Sequence, residues 1–367
     1  MNITGRITGI TYKISLAENL QKIRIEEFDV NNAPSACVIK DGTYTFAVSK
    51  WVSPKRTRSY PFERVYNTLA HLKRVTVIPV IKDEGAVGDR DFIQWDTISM
   101  MSLLDVFVVL AYYDKAKKKG EKITSQQFDN EYILTKIREI KQYHSSALHW
   151  NLKELKDNLE SIIEKVQAAY NKIEKETGVK LHSSNGIAKF KDKVRQDISQ
   201  YMKSSRENAQ KAQMREYATV QPKEKLSNFT KAKLTIEDYL GGQYFLTVDE
   251  VQPGKTVSLI EAKHSKNTLI PSKSDIKDGL LKMVLYSNLS DTKVNGANVV
   301  CNPTLKLTSE KLSGYISSKS SEEELKNFFS ANRLNETQKR LIEQLFLEAK
   351  SNNFEVKVQE ANDQKST

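Results

Sequence analysis

The sequence predicts an α/β (α+β) protein, a mixed β-sheet flanked by helices, with an added helical region and a β-rich N-terminal region. Three observations carry this prediction. Short alternating or wholly apolar runs broken by turn residues fill the first 120 residues and recur after residue 240. A three-and-four apolar spacing fills the middle, and the last third interleaves strand-like with helix-like segments. The 367 residues, 39% of them hydrophobic, suffice for two or three cored domains and are too apolar for a disordered chain.

The elements follow in order. Alternation over residues 3–14 and again over 36–46 reads as strands, with Asp41-Gly42 as a hairpin turn. The prolines Pro54 and Pro61 bracket a basic loop carrying Lys55, Arg56 and Arg58. Two readings stand for it: a grip on a phosphate backbone, or a solvated connection. Residues 75–81 and 106–112 read as buried strands, and the acidic, glycine-bearing stretch 82–91 between them as a connection.

In the middle, Leu152, Leu155, Leu159, Ile162, Val166, Ala169 and Ile173 form a seam at heptad spacing. Ile187, Phe190, Val194, Ile198, Tyr201 and Met202 give a second amphipathic face beyond the loop at 177–185. The simplest reading is an antiparallel helical pair packed on the rest of the chain. Towards the end, 243–251 and 256–264 are apolar-rich runs separated by a Pro-Gly turn. A helix is expected over 274–289, then strands near 297–301 and 304–308. The capping-box patterns at Ser321 and Asn335 start two closing helices. The expected regions are therefore 1–120, β-rich; 121–221, helical; and 222–367, carrying the chemistry.

Composition narrows the function classes. The two cysteines, Cys37 and Cys301, make no disulfide framework or cysteine-type zinc site. The five histidines lack paired metal-ligand spacing, so a catalytic metal must be held mainly by carboxylates, which suits hard ions such as magnesium. No apolar run is long enough to cross a bilayer and no signal-peptide order opens the chain, so the expectation is a soluble, cytoplasmic protein with no membrane contact. The formal charge of +11 points to a polyanionic partner, because Lys and Arg neutralise phosphates and release counterions.

The most informative segment holds Asp238, Gly241-Gly242, Asp249, the turn, and then Glu261-Ala262-Lys263-His264. Side chains alternate along a strand, so Glu261 and Lys263 share a face and Ala262 and His264 take the other. Two charges on a greasy strand are costly unless paired or bound to a metal. The alternative to a catalytic site is a hairpin edge whose charges discourage aggregation.

This segment resembles the PD-(D/E)XK nuclease superfamily, which includes many type II restriction endonucleases. The family pattern is an acid before or on one strand of a hairpin, then acid-x-Lys on the next, and Glu261-Ala262-Lys263 fits the second half. Asp238 followed by Gly241-Gly242 resembles the Asp-Gly-Gly start of some restriction enzymes, although Tyr239-Leu240 intervene and the family's proline is missing. The helix expected over 274–289 looks like the one that packs behind this hairpin. The resemblance implies a restriction-endonuclease-like core and a magnesium-dependent enzyme that cleaves double-stranded DNA at a specific sequence. It further implies a homodimer, matching the dyad of a symmetric site.

The implied roles are Asp238, or alternatively Asp249, with Glu261 and the Ala262 carbonyl as metal ligands, and Lys263 beside the attacking water and phosphate. Between the aspartates, hairpin geometry favours Asp238. A turn centred at 252–254 puts Asp249 opposite Ser258, roughly 10 Å from Glu261 at about 3.3 Å per residue. The Gly241-Gly242 bend would bring Asp238 beside Glu261 and Lys263. The alternatives are a basic, non-catalytic nucleic-acid-binding protein and a repair- or transposon-type nuclease on the same fold.

Overall fold

The computed structural model describes residues 1–51, 62–196, 198–218, 230–239, 241–254 and 256–361. The basic loop with Lys55, Arg56 and Arg58 lies outside the described residues. The chain forms two compact units, one of Asn19–Asn208 and one joining Met1–Glu18 to Ala209–Thr367. These divisions differ from the expected 1–120, 121–221 and 222–367. The helical middle shares a unit with the N-terminal strands. The first residues belong with the last third, because the first strand, β1 (Asn2–Ile7), adds there as a parallel strand.

The Asn19–Asn208 unit runs β2 (Lys22–Arg24), β3 (Ala36–Asp41), β4 (Tyr44–Lys50), α1 (Phe62–Thr68), β5 (Arg74–Pro79), β6 (Ile81–Asp83) and β7 (Arg90–Phe92). It continues through α2 (Trp95–Leu103), β8 (Val106–Ala111), β9 (Tyr113–Lys119), β10 (Lys122–Phe128), α3 (Asn130–Gln142), α4 (Ala147–Lys153), α5 (Leu159–Thr177) and α6 (Asn185–Gln196). Its main sheet is mixed, in the order β2-β3-β4-β5-β8, and β9 and β10 form a separate ribbon. The Asp41-Gly42 turn joins β3 to β4 as the sequence suggests, with Asp41 paired to Tyr44. Every residue of β8 is buried, which explains its unbroken apolar run.

The heptad seam is real as burial: Leu155, Leu159, Ile162, Val166, Ala169 and Ile173 are all inside. It is not one continuous α-helix, because a π-helical turn at Glu154–Asn158 separates α4 from α5. Helix α5 packs on β9, and Lys191 of α6 reaches Glu164 of α5 at 2.6 Å. Helix α7 (Ile198–Ala218) closes this stretch of chain.

The other unit contains β1, then β11 (Thr230–Asp238), β12 (Gln243–Gln252), β13 (Val257–Ser265), α8 (Lys273–Tyr286), β14 (Ser290–Val294), β15 (Ala297–Asn298) and β16 (Cys301–Ser309). It ends with β17 (Tyr315–Ser317), α9 (Glu322–Ala331), α10 (Glu336–Ser351) and β18 (Glu355–Glu360). The nine-stranded mixed sheet has the order β15-β14-β1-β11-β12-β13-β16-β18-β17. Strands β11, β12 and β13 form an antiparallel meander, after which β16 and β18 lie parallel to β13. A parallel return needs a crossover, and α8 lies in the one from β13 to β16, packing on both strands.

Both expected capping boxes form, Ser321 with Glu324 and Asn335 with Gln338. The chain is thus mixed α/β, with large mixed sheets flanked by helices. Among the described residues no helix is long and apolar enough to cross a membrane.

Candidate active site

The site begins where two strands part. Strands β12 and β13 pair through Gln252↔Ser258, Val251↔Leu259 and Glu250↔Ile260. Continuing that register by one step sets Asp249 across from Glu261, on the same face of the sheet. Instead of a further ladder bond, the Asp249 carboxylate accepts the Ala262 N–H at 2.9 Å. Strand β12 stays paired to β11, and β13 stays paired to β16, so a fork opens between them. The Ala262 amide would otherwise lack a partner there, and a side-chain oxygen satisfies it. Within an extended strand the N–H and C=O of one residue point the same way, so the Ala262 carbonyl also faces the fork.

Two expectations are corrected by this register. Asp249 does not lie opposite Ser258 but one step beyond the Glu250–Ile260 pair, next to Glu261. Asp238 does not lie beside Glu261 and Lys263. It closes the β11–β12 turn, where its carboxylate accepts the Gly242 N–H at 2.7 Å and the Tyr244 hydroxyl. Gly242 is seven positions from Asp249 along the chain, a span of about 23 Å at roughly 3.3 Å per residue. The Gly241-Gly242 pair tightens a turn around Asp238 rather than swinging it toward the acid-x-Lys strand.

Glu261 is 2% exposed and lies between two ammonium groups. Lys263 Nζ is 3.0 Å from Oε1 and Lys282 Nζ is 2.7 Å from Oε2. Burial alone would push the Glu261 carboxyl up, but Lys282 and Lys263 outweigh it and hold it below the usual carboxylate range. Burial likewise opposes the charge on Lys263, yet Glu261 and Asp278, the latter 2.6 Å away, keep its ammonium favoured beyond the ordinary lysine range. Lys282 is raised well above that range against its burial, with Glu261 the main cause and Asp249 contributing. Three carboxylates and two ammonium groups therefore share one small region.

Helix α8 supplies the residues that sequence reasoning missed. Asp278 and Lys282 are four apart on one helix face, a spacing visible in the sequence, but only the packing of α8 on β13 aims them at Glu261 and Lys263. Between them Gly279 allows the close approach. A Cβ there would stand 2.7 Å from Leu305 Cδ1 and 3.2 Å from Lys263 Cε. The opposite sheet face is separately neutralised, with Lys306 bonding both Glu250 oxygens at 2.7 Å. His264 belongs to that second face and meets Thr308 Oγ1 at 3.0 Å, as its alternation suggested.

Among the described residues no three His, Cys, Asp or Glu side chains gather as a ready metal cage. The fork offers a smaller oxygen set: the carboxylates of Asp249 and Glu261 and the Ala262 carbonyl. Magnesium keeps several waters and takes one or two carboxylates, so this donor set fits it. The chain matches no family model, no curated protein and no solved structure.

Proposed function

We propose that this protein is a type II restriction endonuclease with a restriction-endonuclease-like core, hydrolysing phosphodiester bonds of double-stranded DNA at a specific sequence with magnesium. The observation that carries the reading is the fork, where Asp249 of β12 meets Glu261-Ala262-Lys263 of β13 with α8 packed behind. An acid on one strand and acid-x-Lys on the next is the pattern the sequence resembles, with Asp249 rather than Asp238 as the first acid.

Asp249, Glu261 and the Ala262 carbonyl would hold the ion. Magnesium, when bound, polarises the phosphate and acidifies a water. Glu261 is kept ionised by its two lysines and so remains an anionic oxygen donor at neutral pH. Lys263 is kept charged, so its part is that of a cation, not a base. It orients the attacking water by hydrogen bond and offsets negative charge on the pentacoordinate phosphorus. Asp278 holds Lys263 in place, and Lys282 holds the second Glu261 oxygen. A symmetric recognition site would call for a homodimer, and a cytoplasmic location would put the enzyme with its substrate.

The test is cleavage of plasmid DNA with magnesium and with chelator, by wild type, Lys263→Ala and Glu261→Gln, each confirmed folded by its melting transition. Discrete fragments from wild type alone support the reading, with both variants still shifting DNA on a gel. A smear selects a non-specific repair-type nuclease. Binding without cutting in any metal selects a non-catalytic DNA-binding protein. Full cleavage by either folded variant sinks the site assignment.

A further inference from the structure

The ribbon β9–β10 in the Asn19–Asn208 unit has no part in the site above. It is seven residues long on each strand and turns through Gly120-Glu121, with Lys119 paired to Lys122. Lys115, Lys117 and Lys119 repeat every second residue, so they share one face at a spacing of about 7 Å. Across from them on β10 stand Gln127, Thr124 and Lys122. All four lysines are exposed, and among the described residues no carboxylate forms an ion pair with any of them. The other face is buried at Ile123, 3% exposed, and its one lysine, Lys118, is exposed beside the turn.

The ribbon is also held in place. Ile123 donates its N–H to the Glu84 carbonyl at 3.1 Å, and Gln126 Nε2 donates to the Asp83 carbonyl at 2.6 Å. At its base Tyr113 stacks on Phe128 with centroids 4.4 Å apart. Gly85 passes close under the turn, where a Cβ would come within 3.1 Å of the Glu121 carbonyl oxygen. Lysines merely protecting a strand edge from aggregation would not need four of the ribbon's five on one face of an anchored hairpin.

We propose that the β9–β10 ribbon docks duplex DNA, with Lys115, Lys117, Lys119 and Lys122 set against the phosphates of the major groove. That groove is wide enough to admit a two-stranded ribbon, and the lysine face complements its flanking backbone in charge. The choice of duplex DNA as partner rests on the nuclease reading. The ribbon supplies position and affinity, because lysine–phosphate contacts carry no sequence information.

The test measures affinity of the full chain for a linear duplex from 50 to 200 mM salt in chelator, so that cleavage does not enter. Substituting all four lysines by Gln removes four phosphate contacts, each contributing about 0.9 to the slope of log affinity against log salt. The slope should fall by between about 3 and 4, so that wild type loses roughly 100-fold more affinity over this range than the variant. The four Lys→Arg replacements should restore the slope. A charge-matched control with Lys203, Lys311, Lys326 and Lys350 changed to Gln, all exposed, should keep it. An unchanged slope in the ribbon variant, an equal loss in the control, or no salt-dependent binding of duplex by wild type overturns the proposal. Cleavage by wild type with an unchanged ribbon slope sinks the ribbon alone; a ribbon-dependent slope without cleavage in magnesium sinks the nuclease reading alone.

Discussion

Asp249→Asn and Asp238→Asn remove one charge each while keeping an acceptor oxygen, and the structure expects opposite consequences. At position 249 the amide oxygen can still take the Ala262 N–H that the carboxylate holds at 2.9 Å, so the fork should keep its shape. What is lost is one of the two anionic donors of the proposed site, and loss of a single preorganised charge contact there should cost about 10²- to 10³-fold in rate. At position 238 the carboxylate is bonded to Gly242, which extended β12 separates from Asp249 by roughly 23 Å at about 3.3 Å per residue, far beyond the ~2 Å reach of a magnesium ligand. Its bonds to Gly242 and Tyr244 hold a turn, so the Asn change should leave cleavage nearly intact and cost stability instead. That cost should be about 1–3 kcal/mol, the usual range for a charged hydrogen-bond partner. Initial rates of plasmid cleavage in magnesium, read beside urea unfolding of each variant, separate the two. Loss of cleavage in Asp238→Asn with activity retained by Asp249→Asn would refute the register argument.

Three further outcomes follow from the same contacts. Because Glu261 is held below its ordinary value, its stabilising effect is complete above the unfolded pKa of about 4.3 and is lost as pH falls through the folded value. Urea melts from pH 7 to pH 3 should therefore show a steeper acid loss in wild type than in Glu261→Gln, and parallel curves would argue against it. Gly279→Val should destabilise the unit by about 1–3 kcal/mol through overpacking against Leu305 and Lys263, and lower cleavage by displacing the lysine. A stability equal to wild type would mean α8 is free to move off the sheet. Ser321→Ala removes the cap of α9 and should cost about 1 kcal/mol in chemical unfolding, with cleavage unchanged.

Local signals were legible where the cause is local. The Asp41-Gly42 hairpin, the buried run of β8, the helix after β13 and the two capping boxes depend on residues within a few positions of one another. The ribbon β9–β10 is not legible in the sequence, because lysine at five of its fourteen positions hides a strand pattern that exists only once α5 covers its inner face. The seam from Leu155 to Ile173 is legible as a buried face, but the π-helical turn at Glu154–Asn158 leaves no mark in apolar spacing.

By itself the sequence determined that Glu261 and Lys263 share a face at the end of an apolar strand, that a turn and a helix flank it, and that the chain carries excess positive charge. Those follow from alternation, turn chemistry and counting, none of which needs distant residues. Which aspartate joins them was decided only by tertiary structure. The β12–β13 register is set by where the strands pair, with Glu250 facing Ile260, and a shift of the assumed turn centre by about one and a half residues moves Asp249 from Ser258 to Glu261. Likewise Asp278 and Lys282 become part of the site only because Gly279 lets α8 press against β13 and β16. The charges were written in the chain, but their pairing belongs to the packing.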